Sequence, residues 1–586
     1  MGPDPDLLRF VRGPALDAKT RARLEEAVPG AFFAYPDGLT PREHQALTYE
    51  RLRAAGLAAP PAAELLDDPA ALCALLARAA TADPALFHVM LLHYPLVLGP
   101  ILRFGAGQEG PRRAREDMES MASFGTLLMT EAGRSNSHLS PRTTARLDAA
   151  TGEFVLSTPD AAAAKFPTST AHPLIPKTAA VYATLVHQER EQGVFVFVVP
   201  LRGPDGAPPP GVRIVPAPDT TGLQVDYAAV RLDELRVPFE SWLRDGARFG
   251  SDGALHDPAG GPAQRLTRSM GIAPPVWRAV ISAMAAVTRA SAAILLDHSS
   301  GRVTLGRLSP LRPLTDYRNQ REAVMGSLAS ACALTAVAAH VIGRVAAPDE
   351  PGPATAWAPW SAVDRDLALL KAATTIQAQE TVSLCRVHAG APGFTGTDRL
   401  NAYRGLTHAY MNAGGDNELI LFDTARAMAD LDRYEPPEPI APDADLASPR
   451  TWLHLARACE RRLRDRLAER VHAAGGDFDA WNAELTLAAR TATACADRIV
   501  LEILADACQS GPAVLRPLLA LHALNWMDRA AGTLLNEGVL APGDLDRVWR
   551  RRGELCDELA PAAGSIAAAF ELPEEVVAPA SFVLDH

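Results

Sequence analysis

The strongest constraint on this chain is a change in its hydrophobic period. Up to about residue 112, and again from about 264 to 430, apolar residues recur at helical spacing, as in Ala-Leu-Cys-Ala-Leu-Leu-Ala-Arg-Ala-Ala (71–80) and Leu-Phe-His-Val-Met-Leu-Leu-His (86–93). From about 125 to 245 the pattern gives way to short β-branched and aromatic runs at 152–157, 180–186, 194–199, 211–215 and 223–232, with turn residues between them. The proline-rich stretch 203–210 can only connect strands there. A strand block set between helical blocks does not alternate as a doubly wound sheet does, so the expected class is α+β, mainly α.

The expected units are an N-terminal helical domain at 1–115, a middle β-domain at 116–250, a helical bundle at 260–435 and an extra C-terminal helical domain at 449–586. Glu435-Pro-Pro-Glu-Pro-Ile-Ala-Pro is a stiff linker before the last of these. Long helices are expected at 275–298, 314–346 and 363–388, the first apolar nearly all round, as in a bundle interior.

Charge and cysteine usage remove several classes of function. The 586-residue chain carries a net charge of -12, which argues against nucleic acid as a partner because phosphate binding needs a clustered basic surface. Seven cysteines lie scattered without a Cys-x-x-Cys pair, so no metal site and no disulfide framework are expected, and a reducing, cytoplasmic location fits. His88 and His93 are five apart, off one helical face, and read as core or rim residues.

The apolar stretch Ala329–Ile342 falls short of the ~20 residues a bilayer requires, so no membrane span is expected. The first residues resemble neither a secretory nor a myristoylation signal, and the final Leu-Asp-His matches no peroxisomal tripeptide. The abundance of Ala, Arg and Pro resembles that of a high-GC bacterial genome. Gly105-Ala-Gly-Gln-Glu-Gly110 follows a helical run and precedes proline, so it reads as a turn and not as a dinucleotide fingerprint.

Thr130-Glu-Ala-Gly-Arg-Ser-Asn-Ser137, the strand that follows it and Ala-Lys-Phe-Pro-Thr-Ser at 164–169 resemble the flavin-binding middle domain of acyl-CoA dehydrogenases and, more closely, acyl-CoA oxidases. Arg302-Val-Thr-Leu-Gly306, Asp316-Tyr-Arg-Asn-Gln320 and Arg386-Val-His-Ala-Gly390-Ala-Pro-Gly-Phe394 stand in the order of that family's later segments. The tail at 522–541 is similar to the C-terminal domain that separates the oxidases from the shorter dehydrogenases.

The resemblance implies FAD as cofactor, held between β-domain and bundle in a homodimer, with an acyl thioester on CoA or a carrier protein as substrate. It places Thr130 and Thr168 at the flavin ring, Arg302 and Thr304 at the pyrophosphate, and Gly390 and Gly393 near the ADP part of the other subunit's FAD, with Gly133 and Gln320 also among the cofactor-binding residues. Forked guanidinium donors suit phosphate, and glycines permit close backbone approach.

The same resemblance exposes a departure. The family removes a proton from the α-carbon with a Glu just before a helix, and the aligned residue here is Gly414. A second position used by some relatives precedes an Arg that corresponds to Arg268, and Thr267 stands there. A relocated or atypical base is therefore expected. Gly414 keeps a backbone N–H able to polarise a carbonyl. Asp416 or Asn417 reads as a helix cap and Glu418 as a first-turn complement to the helix dipole, with Glu418 the favoured substitute if either acid is the base.

Overall fold

The computed structural model describes residues 2–13, 16–220, 222–304, 311–344 and 359–577, with side chains from 363 onward in the last stretch. Parts of the expected 302–306 segment, 314–346 helix and 449–586 domain lie outside the described residues. The N-terminal part is helical, and its helices begin where the chemistry allows. Thr40 caps Pro41–Ala58 by accepting from the Glu43 N–H, while the Glu43 carboxylate accepts from the Thr40 N–H. Asp68 and Asp83 cap Pro69–Ala82 and Pro84–His93, each with proline at the first helical position.

The middle of the chain contains β1 (Phe124–Leu128), β2 (Thr144–Asp148), β3 (Glu153–Ser157), β4 (Lys165–Ser169), β5 (Lys177–His187), β6 (Arg190–Arg202), β7 (Val212–Pro216), β8 (Tyr227–Leu232), β9 (Leu235–Val237) and β10 (Trp242–Leu243). One sheet runs β10-β6-β5-β2-β3-β9, with β1 also pairing with β5; a second runs β4-β8-β7. β1 and β2 lie parallel to β5, and the remaining pairs are antiparallel. At the tip of the β5–β6 hairpin, Gln188 and Glu189 both take positive φ, 50° and 57°, a backbone twist that matches paired strands.

The alternation in the sequence reveals β3, β5, β6, β7 and β8 but not β1, β2 or β4. β1 shows why. Its Gly125 packs so close to the Pro84–His93 helix that an added Cβ would come within 3.0 Å of the His93 Cα, and its N–H donates to His93 Nδ1 at 3.2 Å. A glycine chosen for contact weakens the strand signal.

The sheet has its own apolar core around Phe154, Phe197 and Trp242, whereas the helices on both sides of it share one continuous core running from Leu7 to Val576. Three helical stretches, Pro84–Phe104, Pro262–Ser300 and Arg318–Gly343, are long and apolar enough to cross a membrane. The sequence reading of no span overlooked them because it weighed one unbroken apolar run. The structure buries 83%, 89% and 78% of their apolar windows inside the protein. Tyr49, Lys177 and Asp226 form a buried polar link between the Pro41–Ala58 helix and the sheets, with Tyr49 Oη donating to Asp226 Oδ1 at 2.6 Å and Lys177 Nζ 3.4 Å from Asp226.

Candidate functional site

A cavity of about 630 Å³ opens where the sheets meet the helices. Its sheet wall is formed by Thr130 and Asn136 of the loop after β1 and by Phe166, Thr168 and Ser169 of β4. That loop is pinned from beneath. Glu131 and Lys165, both with fully buried side chains, lie 3.3 Å apart. The Glu131 carboxylate also accepts from the Thr143 N–H and Oγ1, both at 2.9 Å, and from the Arg142 N–H at 3.0 Å.

Lys165 Nζ donates to the Met129 and Tyr182 carbonyls at 2.9 Å. Burial pushes the lysine down to about 8, against the pull of Glu131. On the cavity face, Thr130 Oγ1 donates to Phe166 O at 2.7 Å and Thr168 Oγ1 to Ala228 O at 2.8 Å.

The opposite wall is the reversal between the helices Leu400–Asn412 and Asn417–Asp430. Gly414 and Gly415 make it with φ of 68° and 97°, conformations that favour glycine. Trp277 Nε1 donates to Gly414 O at 2.8 Å, and Lys371 Nζ to Gly415 O at 2.6 Å and Asn417 Oδ1 at 3.0 Å. A trans peptide carries its carbonyl and its N–H on opposite sides, so fixing Gly414 O also fixes where the Gly415 N–H points. Neither the Gly414 nor the Gly415 N–H has a backbone acceptor among the described residues.

Asp416 caps the second helix. Its Oδ1 accepts from the Glu418 and Leu419 N–H groups at 2.9 and 3.2 Å, and its Oδ2 from the Asn412 amide at 2.7 Å. Glu418 is exposed and does not line the cavity, because a first-turn residue two positions past this cap faces solvent. The expectation that Glu418 could replace the missing base is corrected accordingly. Thr267 does not line the cavity either: its Oγ1 turns back to Ala263 O at 3.3 Å, while Arg268 pairs with Asp245 at 2.7 Å.

The other titratable groups on the cavity wall are histidines and tyrosines. His88, read from sequence as core or rim, lines the cavity with Nδ1 3.0 Å from Tyr410 Oη. Burial pushes His88 and His138 each down to about 4, so both imidazoles are neutral at pH 7. Leu91, Leu92, Leu96, Met129 and Val276 make the rest of the wall apolar.

The remaining predicted residues gather elsewhere. Around the turn at 388–394, Arg302 Nη1 donates to Ala389 O at 2.9 Å, and Gln320 Nε2 to His388 O at 3.1 Å. Gly390 has a φ of 72°, Gly393 is buried in the short helical turn Pro392–Phe394, and Thr304 lies in the adjacent two-residue strand. Gly133 touches neither place. Its N–H donates to Ala162 O at 2.7 Å and an added Cβ would lie 2.5 Å from Ala162 Cβ, so it serves the fold of the loop.

An acyl-CoA oxidase family model matches residues 449–580. The peroxisomal acyl-coenzyme A oxidase 2 of Arabidopsis thaliana is 24% identical over 97% of this chain and 89% of its own length. The chain is similar to the acyl-CoA oxidases over nearly its whole length.

The human peroxisomal acyl-coenzyme A oxidase 3 is 26% identical over 60% of the chain and 51% of its own length. Among solved structures, acyl-CoA oxidase 1 from Yarrowia lipolytica superposes with a TM-score of 0.82 at 18% identity, covering 98% of this chain and 89% of the other. A Caenorhabditis elegans acyl-CoA oxidase complexed with FAD and ATP gives 0.76 at 18%, covering 98% and 92%. At such identities the structures establish the fold, α+β and mainly helical. Among the described residues no group of His, Cys, Asp and Glu could hold a metal ion.

Proposed function

We propose that this acyl-CoA oxidase relative is an FAD-dependent enzyme that oxidises an acyl thioester, on CoA or a carrier protein, to its α,β-unsaturated product with an atypical proton acceptor. The observation that carries this reading is the cavity itself, lined on the sheet wall by Thr130 and Thr168 and on the helical wall by Gly414 and Gly415, whose N–H groups have no backbone acceptor among the described residues, with apolar side chains making up much of the rest. At about 630 Å³ it lies within the usual range for ligand pockets. The residues fit the cofactor: Ser169 Oγ on the sheet wall and Arg386 Nε beside the 388–394 turn are buried with no hydrogen-bond partner among the described residues.

Bound there, FAD supplies a two-electron acceptor for the hydride leaving the β-carbon. The chain itself orients and acidifies the substrate. The Gly414 N–H donates to the thioester carbonyl and favours negative charge on that oxygen as the α-proton departs. The apolar wall keeps water away and strengthens that bond.

Asp416 is committed to three hydrogen bonds, which leaves two neutral imidazoles, His88 backed by Tyr410 and His138, as the basic groups on the wall. Loss of a positioned carboxylate costs about 10² to 10⁴ in rate, so slow turnover is expected.

The homodimer reading is supported by apolar side chains left exposed around the 388–394 turn: Val303 at 61%, Val387 at 69% and Phe394 at 70%. A partner covering them would complete the cluster of Arg302, Gln320 and Gly390.

The test is an anaerobic titration of the flavin-loaded protein with acyl-CoA esters of several chain lengths. Slow bleaching of the oxidised flavin band is expected, and about 10²-fold faster bleaching in Gly414→Glu. That substitution places a Cβ 3.4 Å from Val276 Cγ1, an ordinary contact, and costs about 1 kcal/mol for its positive φ. Flavin that stays oxidised with every thioester, in both proteins, overturns the reading and moves the chain to a diverged chemistry on the same scaffold.

A further inference from the structure

A second cavity, of about 460 Å³, shares no lining residue with the first. Its floor is made by three packed helices, Pro69–Ala82, Ala273–Ser300 and Arg318–Gly343, and its rim by the two ends of the chain, Val11–Gly13 and Phe570–Pro573. Four arginines line it, Arg12, Arg21, Arg78 and Arg289, against two glutamates, Glu25 and Glu571, a balance of +2 in a chain of net charge -12.

The charges are unevenly answered. Arg12 and Glu571 pair at 2.6 Å on the rim. Arg289, on the floor, has among the described residues the Thr335 hydroxyl as its hydrogen-bond partner, to which Nη1 donates at 2.8 Å. Arg78 donates through Nε to Val28 O at 2.7 Å, with its guanidinium 4.9 Å from the centre of the Phe33 ring.

Among the described residues neither Arg289 nor Arg78 has a carboxylate within ion-pair distance; Glu25 reaches Arg78 only through a longer-range field. Burial pushes Arg289 down to about 10. A guanidinium partly withdrawn from water without a counter-charge is costly.

We propose that this cavity binds a small organic anion, a phosphate or carboxylate carried on an apolar body, with its oxygens on Arg289 and Arg78. The guanidinium fork matches two oxygens of either head group. Phe33, Leu24, Ile342 and Phe570 line the same space and suit the apolar part. The volume lies within the small-molecule range, and the floor position of Arg289 favours a free ligand over a surface contact. This site is independent of the oxidase reading.

The test uses the full chain saturated with FAD, and substitutions on the floor of this cavity separate binding here from binding in the first cavity. Phenyl phosphate and benzoate are the anionic probes and benzyl alcohol the neutral control, followed by thermal unfolding and calorimetric titration. At least one anion is expected to raise the melting temperature saturably while the alcohol does not, and the stronger of the two anions identifies the head group.

Arg289→Met should weaken that binding by about tenfold or more and should melt close to the parent without ligand, since it removes a part-buried charge with no carboxylate partner and a single hydrogen bond to Thr335. Arg78→Met, at a half-buried position, should weaken binding less and serves if the first variant misfolds. Equal binding by parent and variants, an equal shift with benzyl alcohol, or no shift with either anion overturns the proposal. Visible flavin absorbance should be the same in all three proteins.

Discussion

Two buried lysines hold the opposite walls of the large cavity, and they are held in different ways. Lys165 on the sheet wall has a carboxylate, Glu131, at 3.3 Å. Among the described residues, Lys371 on the helical wall donates only to neutral oxygens, Gly415 O at 2.6 Å and Asn417 Oδ1 at 3.0 Å. Burial pushes the first down to about 8 and the second to about 7, with Glu131 opposing in one case and the more distant Asp416 in the other. The sheet wall is an ion-pair lock, whereas the helical wall is a glycine turn held by hydrogen bonds whose donor changes charge near neutral pH.

The largest effect should come from breaking the lock. Glu131→Gln leaves a charged lysine with no carboxylate in a fully buried site, and removal of one partner from such a pair costs about 3–5 kcal/mol. An exposed pair such as Arg9–Asp6, with side chains 81% and 67% exposed, contributes about 0–1 kcal/mol. Urea unfolding should show the difference directly. The purified variant should also lose flavin absorbance, because Glu131 ties the Thr130 loop to β2 and β4. A loss under about 1 kcal/mol, within the range of exposed pairs, would remove the distinction between the walls.

Lys371 should reveal itself through pH. Unfolded, it keeps its proton to about the ordinary lysine value of 10.5; folded, it gives the proton up near 7. Between these values the unfolded chain binds more protons, so the contribution of this residue to stability rises with pH, by up to about 1.4 kcal/mol per unit, and is flat below about 7. Lys371→Met abolishes that rise. The stability difference between parent and variant should therefore move in the parent's favour from pH 7 to 9, by about 1–3 kcal/mol. Lys165 has the same sign in both proteins and starts near 8, so it cancels. A difference that stays constant over this window contradicts the assignment.

The two walls were not equally legible in the sequence. The sheet wall is written in short segments, Thr130 to Ser137 and Ala164 to Ser169, each next to a strand, so their order along the chain resembled a known pattern even where β1 and β4 themselves gave no alternation. Gly414 was legible as a departure from that pattern.

What holds Gly414 was not, because its supports come from far away: Lys371 is 44 residues from Gly415, and Trp277 is 137 from Gly414. His88 and Tyr410 stand 322 residues apart, and no spacing rule joins them; only the place of Tyr410 one helical turn before the glycines hinted that it faces the same cavity. Glu418 misled because residue type was weighed without direction, and a first-turn carboxylate beside a capping aspartate points outward.

The smallest predicted effect is the most local, and it tests the helical wall without charge. Trp277→Phe keeps a buried aromatic ring but removes the Nε1 donor 2.8 Å from Gly414 O, one neutral hydrogen bond worth about 0.5–1.5 kcal/mol. Lys371 still holds Gly415 O, so the turn stays formed, but the peptide plane between the two glycines gains freedom to rotate, and the Gly415 N–H it carries, next to the Gly414 N–H, loses part of its alignment. If those groups polarise a thioester carbonyl, kcat should fall by about three- to tenfold, matching about 1 kcal/mol of lost transition-state stabilisation, while KM changes little. Stopped-flow bleaching of the flavin separates the two constants. A stability cost above that of Glu131→Gln would invert the comparison, making the glycine turn the more tightly held wall.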